Sequence, residues 1–293
     1  MGLYSNPIMS TWTKLTLDVP GDLSDLVSGL LFEAGTSGIE VEDGADRTHV
    51  RMSAYFEREE GRAAATAALD RLRQDGAGVG PAVVAEVPDE RWGEQWRAFF
   101  QPVRATDRMV VGPPWAEMEA GPGGMVIVIE PKMAFGTGRH ESTRLALRAL
   151  EQAVRPGDRV LDLGTGSGVL GIAAAKLGAR CVAVDIDPVA LDNARENVAL
   201  NGVADRVEIL CGSLDAVREA GFDVIVANIQ TNVLAPLLGG LRERLRRGGR
   251  LILSGILDRE EAQIGEALRR TAWGEPEVIR EGEWIGVVAE RPA

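Results

Sequence analysis

The 293-residue sequence predicts a mixed α/β protein, a doubly wound parallel sheet preceded by a small α+β domain. Three observations predict it. From residue 125 onward, apolar strand-like runs alternate with amphipathic stretches of helical period, the pattern of parallel βαβ units. One of these units, Val160 to Asp187, places a glycine-rich turn between strand and helix and closes its second strand on an acid. Ahead of it, about eighty residues follow the order β-α-β-β-α-β.

The first ten residues read as a disordered leader. They lack the apolar core of a secretory signal and have Asn6 where a myristoylation motif needs Ser or Thr. From Trp12 to Val19 side chains alternate, with Trp12, Lys14, Thr16 and Asp18 against Thr13, Leu15, Leu17 and Val19, the period of a half-buried strand. A helix over 22–34 carries Leu23, Leu26, Val27, Leu30 and Leu31 on one face and stops at Gly35, with Asp22 or Ser24 as its cap. Strands over 38–42 and 49–56, a helix over 62–74 and a strand over 82–87 complete a ferredoxin-like domain over 11–88. It holds no cluster of titratable groups suited to catalysis, so its expected work is substrate recognition. Residues 89–108 read as a linker whose short helix carries Trp92 and Trp96 at i, i+4, a spacing that pins a helix to a neighbouring core.

The second domain is expected over 109–293. Its strands are predicted at 125–129, 159–163, 181–185, 206–210, 222–227 and 250–254, and its helices at 141–154, 168–178, 188–200, 231–247 and 258–271. The tail over 276–290 should add antiparallel edge strands.

Thirty-two basic against 44 acidic side chains leave a net charge of −12, which repels a phosphate backbone and suits a basic protein partner better than nucleic acid. No apolar run approaches the roughly 20 residues of a membrane span, and the expected location is cytoplasmic. Cys181 and Cys211 fall in apolar runs and read as buried core thiols. With two Cys, two His and no ligand-spaced cluster, no metal site is expected.

Gly164, Gly166 and Gly168 can take positive φ and let a ligand lie against bare backbone, and their amides are expected to serve as donors. The helix that follows presents its own free N–H groups to the same crevice. Asp185, 21 residues after Gly164, is placed to accept both hydroxyls of a ribose. A nicotinamide site expects G-x-G-x-x-G, whereas this turn reads G-x-G-x-G after Asp162, and resembles that of S-adenosylmethionine-dependent methyltransferases.

Two further segments reach toward that crevice. Met133 to Thr143 carries two glycines, hydroxyl side chains and His140; it can fold over a ligand, or can simply be a helix start capped near Glu141 or Ser142. His140 could act as a base, although a lone histidine is more often structural. The strand from Phe222 ends in Asn228, whose amide oxygen can accept from an amine N–H and aim its lone pair, or can merely close an Asx turn.

Taken together, Met133-Ala-Phe-Gly-Thr-Gly-Arg-His140, the glycine turn, Val184-Asp-Ile-Asp-Pro188, Glu196-Asn197, Asn201-Gly202, Ala227-Asn-Ile229, Ser254-Gly-Ile256 and Glu283-Trp284 resemble the PrmA family of ribosomal protein L11 methyltransferases over nearly the whole chain. The resemblance implies that Phe135, Gly136 and Thr143 line the S-adenosylmethionine site, that Gly164 and Gly166 cradle the cofactor, and that Asp185 binds its ribose. It also implies that Asn228 contacts the methionine end and the incoming amine, so that Asn228 is the catalytic residue. Lys132 departs from the family where glycine is usual, and Gln230-Thr231 replace an apolar-small pair.

The implied reaction methylates lysine side-chain and N-terminal α-amines of ribosomal protein L11, by a chain expected to be monomeric. One alternative is a nucleobase exocyclic-amine methyltransferase, but Ile229-Gln230-Thr231 offers no ring to stack on a base. Another is a non-catalytic ribosome-assembly factor with a vestigial pocket.

Overall fold

The computed structural model describes residues 11–43, 48–74, 76–88, 100–131, 138 and 140–292. The chain divides into two compact units between Phe99 and Phe100. The leader and the Trp92/Trp96 linker helix lie outside the described residues.

The first unit is a four-stranded antiparallel sheet in the order β2-β3-β1-β4, made of β1 (Thr11–Pro20), β2 (Gly38–Asp43), β3 (His49–Phe56) and β4 (Val83–Pro88). Its two helices are α1 (Ser24–Glu33) and α2 (Glu59–Gln74). This is the predicted ferredoxin-like arrangement, and the alternation along β1 explains it. Leu15, Leu17 and Val19 turn inward onto Met52, Ala54 and Phe56 of β3, with Val27, Leu31 and Leu69 of the helices closing the core. Helix α1 is not capped as expected. A short 3-10 turn over Gly21–Leu23 leads into it, Leu23 holds the cap position with no side-chain bond, and Ser24 is already the first helical residue.

The second unit holds a seven-stranded sheet in the order β10-β9-β8-β11-β12-β14-β13. The strands are β8 (Arg159–Leu163), β9 (Arg180–Asp185), β10 (Val207–Cys211), β11 (Phe222–Asn228), β12 (Leu245–Leu257), β13 (Glu277–Glu281) and β14 (Trp284–Glu290). The first five run parallel, and β14 inserts antiparallel between β12 and β13. Helices α3 (Glu141–Ala153), α4 (Val169–Lys176) and α5 (Pro188–Leu200) cover one face. Helices α6 (Thr231–Arg244) and α7 (Glu261–Arg270) cover the other. Because both faces are covered, inner strands are apolar at consecutive positions. In β11, Val224 and Val226 face the first helical layer while Ile225 and Ala227 face the second.

Three expectations change. The strand over 125–128 (β7, Met125–Val128) joins not the large sheet but a three-stranded one, with β5 (Val103–Arg104) and β6 (Met109–Gly112). Helix α6 stops at Arg244 and β12 starts at once, Leu245 being already extended, and the strand shifts register between its pairings with Phe222 and Val224, where Gly248 takes φ +67°. Cys181 is buried, but Cys211 is exposed, being the last residue of edge strand β10. Among the described residues no helix is long and apolar enough to cross a membrane, and no group of three or more potential ligands could hold a metal ion.

Candidate functional site

The chain runs outward from central β8 through β9 to β10, then crosses to β11 on the other side. Strand order reverses there, and the carboxyl ends of β8 and β11 part to leave a crevice. A cleft of about 610 Å³ occupies it, lined by Gly164, Thr165, Gly166, Val169, Asp185, Asn228, Gly255 and Trp284 among others. That volume is within the range of small-molecule sites.

The glycine turn works differently from the expectation. Gly164, Gly166 and Gly168 all have positive φ, at +75°, +53° and +86°. Their amides, however, are already engaged. Gly164 and Thr165 both donate to the Val184 carbonyl, Gly166 donates to Asp185 Oδ2 at 2.8 Å, and Gly168 donates to the Thr165 carbonyl. The glycines therefore shape the floor rather than bind a ligand through N–H groups. A Cβ at Gly164 would stand 2.5 Å from Ile229 Cγ2, so only glycine lets the turn pack under the end of β11. The free donors belong instead to the first turn of α4, where Val169 and Leu170 line the cleft.

Two acids organise the turn. Asp185, half-buried, accepts from Gly166 N through Oδ2 and from Asp187 N at 3.1 Å through Oδ1. An ionised carboxylate has about four acceptor positions, so these bonds fix its plane and leave capacity toward the cleft. Asp162 is fully buried, and its Oδ2 accepts from Thr165 Oγ1 at 2.6 Å and Gly171 N at 2.9 Å. Its Oδ1 has no partner. Burial pushes its pKa up from 3.8 to about 6, against the opposing pull of those two bonds.

A raised acid pKa favours the folded state most below the unfolded value, and that stability is lost as pH rises through the folded one. Between pH 3.8 and about 6 the stability of wild type should therefore fall relative to Asp162→Asn, by on the order of 3 kcal/mol in total. Urea unfolding of both proteins across that window checks this. Parallel curves would contradict it.

At the end of β11, Asn228 donates through Nδ2 to Thr143 Oγ1 at 3.3 Å, while its Oδ1 is buried without a partner. Thr143 is fully buried on the first turn of α3 and, among the described residues, is not on the cleft wall. It reaches the site by orienting Asn228. The cap of α3 is His140 rather than Glu141 or Ser142, its ring accepting from Ser142 N at 3.3 Å and lying edge-on to Trp284 at 4.6 Å. With Nδ1 engaged as a cap, His140 serves the helix start. Ser254 Oγ, also buried, donates to the Ser142 carbonyl and ties β12 to the same turn. Gly255, at φ +78°, leaves room beside Asn228, since a Cβ there would lie 3.1 Å from Oδ1. Phe135 and Gly136 lie outside the described residues.

One group of residues escaped the sequence reading as a mechanism. Asn193 and Asn197 of α5 and Asn201 at its C-cap form one stripe, at i, i+4 and i+8. Asn201 accepts from Val128 N and donates to Val128 O, Asn197 accepts from Glu130 N, and Asn193 donates to Glu130 O. Residues two apart in a strand offer backbone groups to the same edge, so the stripe substitutes for a neighbouring strand along the unpaired edge beyond β7. The Asn-x-x-x-Asn spacing was the available signal.

A sequence model described as Ribosomal protein L11 methyltransferase (PrmA) matches residues 11–292. The ribosomal protein L11 methyltransferase of Geobacter sulfurreducens is 40% identical, with 94% of this chain and 97% of that protein covered. That of Symbiobacterium thermophilum is 44% identical over 76% of this chain and 74% of that protein. The crystal structure of a ribosomal protein L11 methylase from Lactobacillus delbrueckii subsp. bulgaricus superposes with a TM-score of 0.62 at 34% identity, covering 66% of this chain and all of that one. The doubly wound sheet, the cleft at its switch point and these matches along nearly the full length agree, and the chain belongs to the ribosomal protein L11 methyltransferase (PrmA) family.

Proposed function

We propose that the cleft binds S-adenosylmethionine and that the chain transfers methyl groups to lysine side-chain and N-terminal α-amines of ribosomal protein L11 in the cytoplasm. The observation that carries this is the pairing of two groups in one cleft. Asp185 is fixed at the tip of β9 with acceptor capacity to spare, and Asn228 holds a buried, unpartnered acceptor at the tip of β11. A buried carbonyl oxygen without a donor is costly, on the order of 1–3 kcal/mol, and an incoming amine N–H relieves that cost. Together with the glycine floor, the residues present fit the cofactor.

The cofactor supplies an electrophilic methyl group on a positively charged sulfur. Asp185 would accept from the ribose hydroxyls, and the α4 amino terminus and the glycine turn would hold the rest. Asn228 accepts an N–H of the target amine through Oδ1, while Thr143 prevents its amide from turning. This fixes the direction of the amine's lone pair, and positioning of this kind would supply most of the rate enhancement. A free lysine amine titrates near pH ~10.4, and the nitrogen must be neutral to attack. The titratable groups among the described lining residues are His140 and Asp185, both held in other bonds. Desolvation in the cleft, whose wall includes Leu163, Val169, Leu170, Val184 and Ile229, favours the neutral amine instead.

The acidic chain attracts a basic substrate, with the small domain over 11–88 recognising it, the segment over 89–108 linking it to the catalytic domain, and the enzyme acting as a monomer. Incubation with methyl-labelled S-adenosylmethionine and a ribosomal extract, followed by mass mapping of labelled peptides, tests the assignment. Label is expected in ribosomal protein L11. Label in RNA would overturn it in favour of a nucleobase methyltransferase.

A further inference from the structure

The asparagine stripe of α5 does more than close a strand edge. Asn197 is fully buried and faces two ways: its Oδ1 accepts from Glu130 N at 2.8 Å, and its Nδ2 donates to the Ser167 carbonyl at 2.9 Å. Ser167 lies within the glycine turn that floors the cleft. Glu130 follows β7, on the edge whose Val128 backbone is held by Asn201. One carboxamide therefore joins the cleft floor to the backbone that follows β7. Asn193, bonded to the Glu130 carbonyl and 3.4 Å from Asn197 Nδ2, holds the same junction from the preceding turn. Asn201 differs: its bonds go to Val128 and to the carbonyl of Asn197 in its own helix, none of them to the turn.

We infer that Asn197 is a positioning residue for cofactor binding, fixing the glycine turn at Ser167 against the backbone of Glu130 so that the cleft floor is in place before the ligand arrives. The inference rests on the reading that the cleft binds S-adenosylmethionine. A carboxamide is suited to the task because it offers an acceptor and a donor on one rigid plane, matching an N–H on one side and a C=O on the other. Alanine removes both, and aspartate keeps only the acceptor. Loss of preorganisation of this kind weakens binding without altering the chemistry of groups already in place.

The test compares wild type, Asn197→Ala, Asn197→Asp and Asn201→Ala. Binding is measured by calorimetry with S-adenosylhomocysteine, and steady-state kinetics are followed over a range of cofactor concentrations. Asn197→Ala is expected to raise Kd and the cofactor KM about tenfold while kcat at saturation stays within about twofold. Asn201→Ala is expected to lower the thermal midpoint with cofactor Kd within about twofold of wild type. A purely structural role would instead reduce kcat through a smaller active fraction and leave KM unmoved. If Asn197→Ala gives no cooperative melt, Asn197→Asp decides, with the same rise in Kd expected. Wild-type Kd in a folded Asn197 variant, beside a wild type that binds, overturns this inference alone. A wild type that binds no S-adenosylhomocysteine removes the cofactor reading and this inference with it.

Discussion

Asp185→Ala is expected to lose cofactor binding, with Kd for S-adenosylhomocysteine rising at least about a hundredfold by calorimetry. The size follows from what the carboxylate does. A hydrogen bond to a charged acceptor contributes about 1.5–3 kcal/mol, and a ribose offers two hydroxyls to this one group. The same substitution also releases the amides of Gly166 and Asp187, which are held to Oδ2 and Oδ1, so the floor of the cleft loosens as the ligand contacts vanish. The fold should survive, because Asp185 lies at the tip of β9, outside the apolar layers that cover the sheet. Wild-type affinity in a folded Asp185→Ala would remove the ribose assignment.

Asn228→Ala is expected to behave in the opposite manner, with kcat falling about 10²–10³-fold and cofactor Kd changing only a few-fold. Its Oδ1 is a buried acceptor without a partner, which the proposed reaction assigns to the incoming amine, and its Nδ2 donates to Thr143. On the proposed reading, truncation would leave Asp185 and the α4 amino terminus in place for the cofactor but free the amine to rotate. Stopped-assay kinetics with ribosomal protein L11 at saturating cofactor separate the two quantities. An unchanged kcat would mean that the amine is steered by some other group.

These two positions were legible in the sequence because each stands at the end of a strongly apolar strand, where the period of the pattern stops. Asp185 follows Val182-Ala-Val184 and Asn228 follows Val224-Ile-Val-Ala227, so each had to emerge at the carboxyl edge of a parallel sheet. The doubly wound order and the ferredoxin-like order were legible for the same reason. What the pattern could not show was long-range pairing. The engagement of the Gly166 amide by Asp185 spans 19 residues, and the link between Thr143 and Asn228 spans 85. Neither leaves a periodic trace. The run at 125–128 is as apolar as a sheet strand, yet it pairs with β6, because the Val128 and Glu130 edge is taken by side chains of α5 rather than by backbone. The cap of α3 was misread since a histidine ring filled a place that serine or aspartate usually holds. Cys211 was misread because hydrophobicity alone does not distinguish the end of an edge strand from its middle.

The most direct measurement is a crystal structure of the chain with S-adenosylhomocysteine bound. The account predicts the ribose hydroxyls on Asp185, the adenosine over the bare backbone of Gly164 and Gly166, and the sulfur directed toward Asn228. A ligand seated away from the carboxyl ends of β8, β9 and β11 would contradict it.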